Sequence, residues 1–196
     1  MKLNNKYFLI RHGQTIYQKE DRKMNYDPDS PYKLELTDEG KKMVSDSAEK
    51  LKAENIGIIF ASPYLRTKQS AEIVSEVIGF DASKINYDER IVDINLGIFM
   101  GRPMDESREF YFSGNEKFKN KPEGGESWND ILGRVKNFLE EVEKNYKNEI
   151  ILVVSHADPI WLMAGYLRGL EKEEQFLEAR KDRENSYPKL AQIIKI

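Results

Sequence analysis

The chain has 196 residues, of which 39% are hydrophobic and 33% charged, and its net charge at pH 7 is −3. This length and composition favour one globular domain over residues 1–196. The net charge excludes a generally basic surface for nucleic acid or anionic membrane. The absence of cysteine excludes disulfides, cysteine metal sites and a cysteine nucleophile. No apolar run approaches the ~18 residues of a membrane span, and no signal peptide is recognisable, so we expect a cytoplasmic protein.

The first half of the chain predicts two strand–helix pairs. Residues 7–10 and 56–60 are short apolar runs that end at turns, as buried strands do. Residues 17–35 are polar and contain prolines, which indicates a loop. A helix is predicted from Thr37 to about residue 54, and another from Ser62-Pro63 to about residue 78, because each starts with a capping hydroxyl.

The second half predicts an α/β arrangement as well. Residues 84–98 are predicted to be irregular, and residues 99–125 form a Gly- and Pro-rich insert with one short helix. A long amphipathic helix is predicted at 126–146, a strongly apolar strand at 150–154 and a last strand at 190–196. A further helix follows the apolar strand and runs through Leu167. The alternation of strands and helices predicts a three-layer α/β/α sandwich with a mainly parallel central sheet.

The only two histidines of the chain each follow a predicted strand directly. His12 comes after the first strand and His156 after the third, and active sites of parallel sheets lie beyond the carboxyl ends of their strands. Arg11 and Arg66 lie at the same edge and carry guanidinium groups that match phosphate oxygens. A neutral imidazole attacks phosphorus as a nucleophile, while a second, protonated imidazole would hold the phosphoryl oxygens.

These residues stand in motifs that resemble a known family. Arg11-His12-Gly13 resembles the RHG signature of the histidine phosphatase superfamily, which has the phosphoglycerate mutase-like fold. The resemblance recurs in order at residues 36–40, 61–71, 124–127 and 153–156, which read LTDEG, ASPYLRTKQSA, GGES and VVSH. It implies an enzyme that needs no metal and no cofactor and acts on a small phosphomonoester. The insert at about 99–125 is expected to cover the active site.

The resemblance also implies roles for individual residues. His12 would be the phosphorylated nucleophile, and Arg11, Arg66 and His156 would bind the phosphate together with the backbone N–H of Ala157. Two neighbours of the signature lie beside this pocket: Gln14 as a supporting residue and Thr15, whose hydroxyl either contacts phosphate or forms the turn.

Family members carry a glutamate as general acid in a segment similar to residues 90–101, and the register here places Asp93 at that position. Asp88 and Glu89 are near enough in sequence to replace it. Asp158 is a further candidate, although its place before Pro159 is better explained as a helix cap.

Glu126 has two interpretations: an acid that favours the start of a helix, or a residue that orders the arginines of the pocket. At the position of a family asparagine that follows the RHG signature this chain has Gln18.

The preferred function is hydrolysis of a phosphorylated metabolite; a 2,3-bisphosphoglycerate-dependent mutase is the alternative, followed by a catalytically silent phospholigand-binding module. The sequence indicates neither the natural substrate nor the oligomeric state.

Overall fold

A computed structural model describes residues 3–196; Met1 and Lys2, at the start of the predicted domain, lie outside the described part. Its sheet has five strands in the order β3-β2-β4-β1-β5. They are β1 (Lys6–Arg11), β2 (Ile58–Ala61), β3 (Asn86–Tyr87), β4 (Ile150–Ser155) and β5 (Ile193–Lys195). The first four run parallel, and β5 pairs antiparallel with β1. The predicted, mainly parallel sheet is confirmed.

Eight α-helices surround this sheet in the described chain. They are α1 (Ile16–Lys19), α2 (Ser30–Lys33), α3 (Asp38–Ala48), α4 (Leu65–Ile78), α5 (Met104–Phe112), α6 (Trp128–Asn145), α7 (Ala157–Leu167) and α8 (Glu173–Ala179). None of the helices within residues 3–196 is long and apolar enough to cross a membrane. The cytoplasmic location stays a prediction.

The two faces of the sheet bury separate hydrophobic clusters. Alternate residues of a strand point to opposite faces, so Tyr7 and Leu9 of β1 join the cluster that includes α6 and α7. Phe8 and Ile10 join the cluster that includes α3 and α4. Helices therefore cover both faces, and the predicted three-layer α/β/α sandwich is confirmed.

Several predicted boundaries differ from the structure. The loop at 17–35 contains part of α1 and all of α2, and α8 was not predicted. Helix α4 begins at Leu65 rather than at Ser62, whose hydroxyl lies 2.9 Å from Nε2 of His156 instead of capping the helix. Helix α7 begins at Ala157, so Asp158 lies within its first turn and is not its cap.

The insert at 99–125 joins the loop that precedes α2. The backbone N–H of Asn25 donates to the carbonyl of Arg102 at 2.8 Å, and that of Gly101 donates to the carbonyl of Tyr26 at 2.9 Å. The N–H of Met104 in α5 donates to Lys23 O at 2.9 Å. These bonds make the two segments one continuous wall above the carboxyl ends of the strands.

Candidate active site

The two histidines lie side by side because their strands are neighbours. Arg11 at the end of β1 is in register with Ser155 at the end of the parallel strand β4. His12 and His156 are the next residues, and their ring centres are 5.3 Å apart. Both side chains are buried, with 1% and 0% of their surface exposed. The structure therefore brings together the two imidazoles that the sequence placed 144 residues apart.

The surroundings of His12 leave one ring nitrogen free to react. Its Nδ1 is 2.8 Å from the carbonyl oxygen of Gly13. Since a carbonyl only accepts hydrogen bonds, Nδ1 carries the proton and Nε2 keeps a lone pair. Burial lowers the pKa of His12 well below its ordinary value, and the positive charges of Arg66 and Arg11 lower it further. His12 is thus a neutral imidazole at pH 7, the form that attacks phosphorus.

His156 is held by Ser62, whose hydroxyl oxygen lies 2.9 Å from Nε2. Its buried Nδ1 has no hydrogen-bond partner within the described chain and lies 3.5 Å from Oδ2 of Asp93. The prediction that this imidazole is protonated does not fit its surroundings. Burial, followed by the charges of Arg66 and Arg11, lowers the pKa of His156 well below its ordinary value and favours the neutral ring.

The two arginines carry unsatisfied donors. Arg66 is 1% exposed; its Nη2 donates to Asp93 Oδ2 at 2.9 Å, while Nε and Nη1 have no partner in residues 3–196. Arg11 donates from Nη1 to the carbonyl of Pro188 at 3.1 Å, and its Nε is unpaired among the same residues. Because buried donors without partners are costly, these nitrogens indicate an anionic ligand with several oxygens, such as phosphate.

A cavity of about 390 Å³ opens above these groups, a size suited to a small molecule. Arg11, His12, Arg66, Asp93 and Ala157 all line it. Ala157 is the first residue of α7, where the backbone N–H has no partner inside the helix and the helix dipole is positive. Within residues 3–196, no group of three or more His, Asp and Glu side chains is arranged to hold a metal ion.

His156 adjoins His12 but is not itself a lining residue of the cavity, and two other predicted neighbours of the phosphate do not line it either. The hydroxyl of Thr15 donates to Oε1 of Gln18 at 2.8 Å, so it stabilises the turn into α1 rather than facing the ligand. Gln14 accepts two hydrogen bonds from Thr37, one from the backbone N–H and one from the hydroxyl, both at 2.9 Å. Gln14 therefore supports the signature loop by tying it to the start of α3.

Glu126 orders a different arginine from the ones expected. Its carboxylate pairs with Nε of Arg134 at 2.9 Å and accepts from the backbone N–H of Asn95 at 3.0 Å. Arg134 in turn donates to the carbonyls of Arg90 and Asp93, at 2.7 and 3.2 Å. The expectation that Glu126 orders Arg11 and Arg66 is wrong in this respect; it fixes the segment that carries Asp93.

The candidate acids occupy different environments. The Asp88 carboxylate pairs with Arg90 at 2.6 Å, and Glu89 is exposed and does not line the cavity. Asp158 lines the cavity, but Nη2 of Arg180 donates to it at 3.1 Å. Among these carboxylates, Asp93 is the one that contacts Arg66 and lies beside His156.

Two aromatic residues of the site were missed in the sequence, and a third residue, Gln18, was noted without a prediction of its contact. The guanidinium of Arg66 lies over the rings of Tyr26 and Tyr64, at 4.6 and 5.2 Å from their centres. Tyr64 stands within the ASPYLRTKQSA motif, two residues before Arg66, which was a usable signal. Tyr26 had none, since it comes from a loop whose position depends on the insert. Gln18 was noted only as a departure; its Nε2 donates to the hydroxyl of Tyr26 at 2.6 Å.

Comparisons with known proteins identify the class. The model of the histidine phosphatase superfamily (branch 1) matches residues 7–179. The chain belongs to this superfamily, and the predicted enzyme class, a histidine phosphatase, is confirmed.

Individual relatives differ in their reactions. The chain is 31% identical to phosphoserine phosphatase 1 of Hydrogenobacter thermophilus, over 85% of this chain and 77% of that protein. It is 27% identical to a probable phosphoglycerate mutase of Salmonella choleraesuis, over 83% of this chain and 74% of that one. A mycobacterial glucosyl-3-phosphoglycerate phosphatase has the same fold, with a TM-score of 0.69, 21% identity and coverage of 88% and 83%.

Proposed function

We propose that the protein is a metal-independent phosphomonoesterase that forms a phosphohistidine on His12. The observation that supports this most strongly is the corner formed by two buried imidazoles and two arginines whose buried nitrogens lack partners in the described chain. His12 and both arginines line the cavity, and His156 lies next to His12. Such a corner offers several donors to the three outer oxygens of a phosphoryl group and a lone pair to its phosphorus. The similarity to a phosphoserine phosphatase agrees with a small phosphorylated substrate.

The first step transfers the phosphoryl group to the enzyme. The phosphate docks on Arg11, Arg66 and His156, and the lone pair of His12 Nε2 attacks phosphorus in line with the leaving oxygen. The P–O bond to the alcohol breaks as the N–P bond forms, and Asp93, in its protonated form, gives its proton to the leaving oxygen. The alcohol departs, and the phosphoryl group remains on Nε2.

The second step returns the enzyme to its starting state. The Asp93 carboxylate accepts a proton from water while the water oxygen attacks phosphorus, and the N–P bond breaks. Inorganic phosphate leaves, His12 is again neutral and Asp93 again carries the proton. Throughout, the N–H of Ala157 at the start of α7 and the guanidinium of Arg66 offset the charge on the phosphoryl oxygens.

The test measures phosphate release from a panel of phosphomonoesters in the presence of EDTA, with trapping of the phosphoenzyme by acid-free quench. We expect His12→Ala to lose both turnover and the phosphoenzyme, whereas His156→Ala keeps a slower phosphorylation of His12. The phosphoenzyme should survive base and decay in acid, as a phosphohistidine does. Turnover that disappears with EDTA, or a phosphoenzyme that forms in His12→Ala, would contradict the proposal.

Two other outcomes point to other functions. Phosphoryl exchange between 2- and 3-phosphoglycerate, dependent on bisphosphoglycerate and without net hydrolysis, would favour the mutase, consistent with the 27% identical relative. Binding of inorganic phosphate without turnover of any ester would favour a phospholigand-binding module.

A further inference from the structure

The cavity wall beyond the phosphate corner differs in character from the corner itself. Much of it is apolar: Met24, Pro28, Pro31, Leu96, Met100 and Met104 line it. The charged residues of the described chain that line the whole cavity are Arg11, Arg66, Asp93 and Asp158. Both cations belong to the phosphate corner. The wall that would meet the leaving alcohol therefore contributes no positive charge.

Three cations of the segments that carry the wall are paired with carboxylates close to them in sequence. Lys23 pairs with Asp21 at 2.6 Å, and Lys33 pairs with Asp29 at 2.5 Å. On the insert, Arg102 pairs with Glu106 at 2.6 Å.

Behind the wall, Arg180 pairs with Asp158 at 3.1 Å. Arg183 does not line the cavity; its guanidinium lies over the ring of Tyr187, a lining residue, at 4.6 Å. If an anionic group does bind beside Tyr187, Arg183 is therefore the cation that we expect to contribute.

The amide donors of the wall are engaged as well. Nδ2 of Asn25 donates to the carbonyl of Phe99 and to the hydroxyl of Ser107, at 3.1 and 3.0 Å. Nε2 of Gln18 donates to Tyr26, and Nδ2 of Asn95 donates to Gly124 O at 3.1 Å. These amides hold the wall together and offer few donors to a bound carboxylate.

We propose that the substrate is a monoester whose leaving alcohol carries no carboxylate and no second phosphoryl group and presents apolar surface to the methionines of the wall. This inference rests on the proposed function. A carboxylate at this wall would lose water without gaining a lining cation and with few amide donors to replace it, and it would lie near Asp93 and Asp158. An apolar alcohol gains contact with Met24, Met100 and Met104, whose flexible side chains adapt to its shape.

The experiment compares kcat/KM for pairs of esters that differ in one group. Glycerol 3-phosphate has a CH₂OH where 3-phosphoglycerate has a carboxylate, and phosphoethanolamine lacks only the carboxylate of phosphoserine. In each pair we expect the ester without the carboxylate to react at least tenfold better. Butyl phosphate should exceed glycerol 3-phosphate, because its chain is apolar.

A designed cation provides the converse test. Met104 lines the cavity and is 50% exposed, so Met104→Lys adds a positive charge to the wall. We expect this variant to reduce the discrimination within each pair at least threefold. Ile98→Lys is the matched control: Ile98 is 49% exposed, directly precedes the insert and does not line the cavity, so the discrimination should stay as in the wild type.

The outcomes separate this proposal from the proposed function. Wild-type enzyme that prefers the carboxylate esters overturns the proposal, and loss of that preference in Arg183→Ala would identify the residue responsible. If no ester is hydrolysed and no phosphoenzyme forms, the proposed function fails. The same pairs are then compared by calorimetric binding, where equal or tighter binding of the carboxylate esters overturns the proposal in its turn.

Discussion

Arg66 and Asp93 form an ion pair inside the candidate active site, with Nη2 and Oδ2 2.9 Å apart. The same guanidinium presents two nitrogens without partners in the described chain. Asp93 is therefore an internal anion that occupies one of the donors a phosphate would use. Under the proposed function, a phosphate dianion and the Asp93 carboxylate would compete for the same guanidinium.

This relationship predicts opposite effects of Asp93→Asn on binding and on chemistry. Inorganic phosphate should inhibit the variant more strongly, by about tenfold, because loss of the negative charge removes competition for Arg66. The kcat for alkyl phosphates should fall by about 10²–10⁴, since the leaving alkoxide gains no proton. Aryl phosphates, whose leaving groups need little protonation, should lose far less. Equal losses for both ester types would point to Glu89 or Asp158 as the acid.

A second prediction concerns Tyr26, whose ring covers the Arg66 guanidinium at 4.6 Å. Tyr26→Ala should raise KM and the inhibition constant of phosphate about twofold to thirtyfold, because a cation–π contact contributes roughly 0.5–2 kcal/mol. Tyr26→Phe retains the ring and should stay near the wild type. Tyr32→Ala is the control, since Tyr32 is 78% exposed. An unchanged phosphate affinity in Tyr26→Ala would show that the ring does not position Arg66.

The fold was predictable because its signals are local. The apolar runs that became β1, β2 and β4 and the capping hydroxyl of Thr37, which accepts from the N–H of Gly40 at 2.9 Å, need no tertiary information. Helix α8 was missed because its segment is highly charged and buries little more than Phe176. The start of α4 was misplaced because Ser62 is engaged by His156, a residue 94 positions away.

The residues of the site were predictable to the extent that they stand in sequence motifs. The histidines, Arg11, Arg66 and Ala157 follow strands or begin helices, and the sheet topology alone brings them to one edge. Arg134 had no such signal: its role depends on reaching the carbonyls of a loop more than forty residues away in sequence. The same holds for Tyr26, which the insert positions.

Glu126 gives a prediction about positioning through Arg134. Glu126→Gln removes a partly buried charge from the pair that holds the Asp93 segment, so kcat for alkyl phosphates should fall several-fold while phosphate affinity changes little. Glu141→Gln is the matched control on α6. Glu141 pairs with Arg90 but is 57% exposed, so its loss should leave kcat unchanged. A fall in phosphate affinity alone for Glu126→Gln would mean that Glu126 acts on the pocket arginines.

The two buried histidines make stability fall in acid. Their folded pKa values lie well below the ordinary value of 6.5, so below about pH 6.5 the unfolded chain takes up protons that the native protein does not. Each histidine then lowers the free energy of unfolding by about 1.4 kcal/mol per pH unit until its folded pKa is reached. Urea denaturation of the wild type and of His12→Gln between pH 7.5 and 5.5 measures this slope. Over this whole window the variant should lose about 1.4 kcal/mol less of its free energy of unfolding than the wild type, and equal losses would contradict neutral burial of His12.

The last prediction follows from the close approach of two motif glycines, Gly13 after β1 and Gly40 in α3. A Cβ on Gly40 would lie 2.2 Å from the carbonyl oxygen of Gln14, and one on Gly13 would lie 2.3 Å from the carbonyl oxygen of Gly40. These neighbours are backbone atoms and cannot move without displacing the loop that holds His12. Gly40→Ala should therefore lower the free energy of unfolding by about 1–3 kcal/mol, which corresponds to a fall in Tm of roughly 2–12 °C. Gly133→Ala is the control: its Cβ meets nothing within 4 Å in mid-helix and should stabilise by about 0.5–1 kcal/mol. Because the displaced loop carries His12, the proposed nucleophile, kcat/KM of folded Gly40→Ala should also fall. A variant with wild-type Tm and kcat/KM would show that the two loops separate freely.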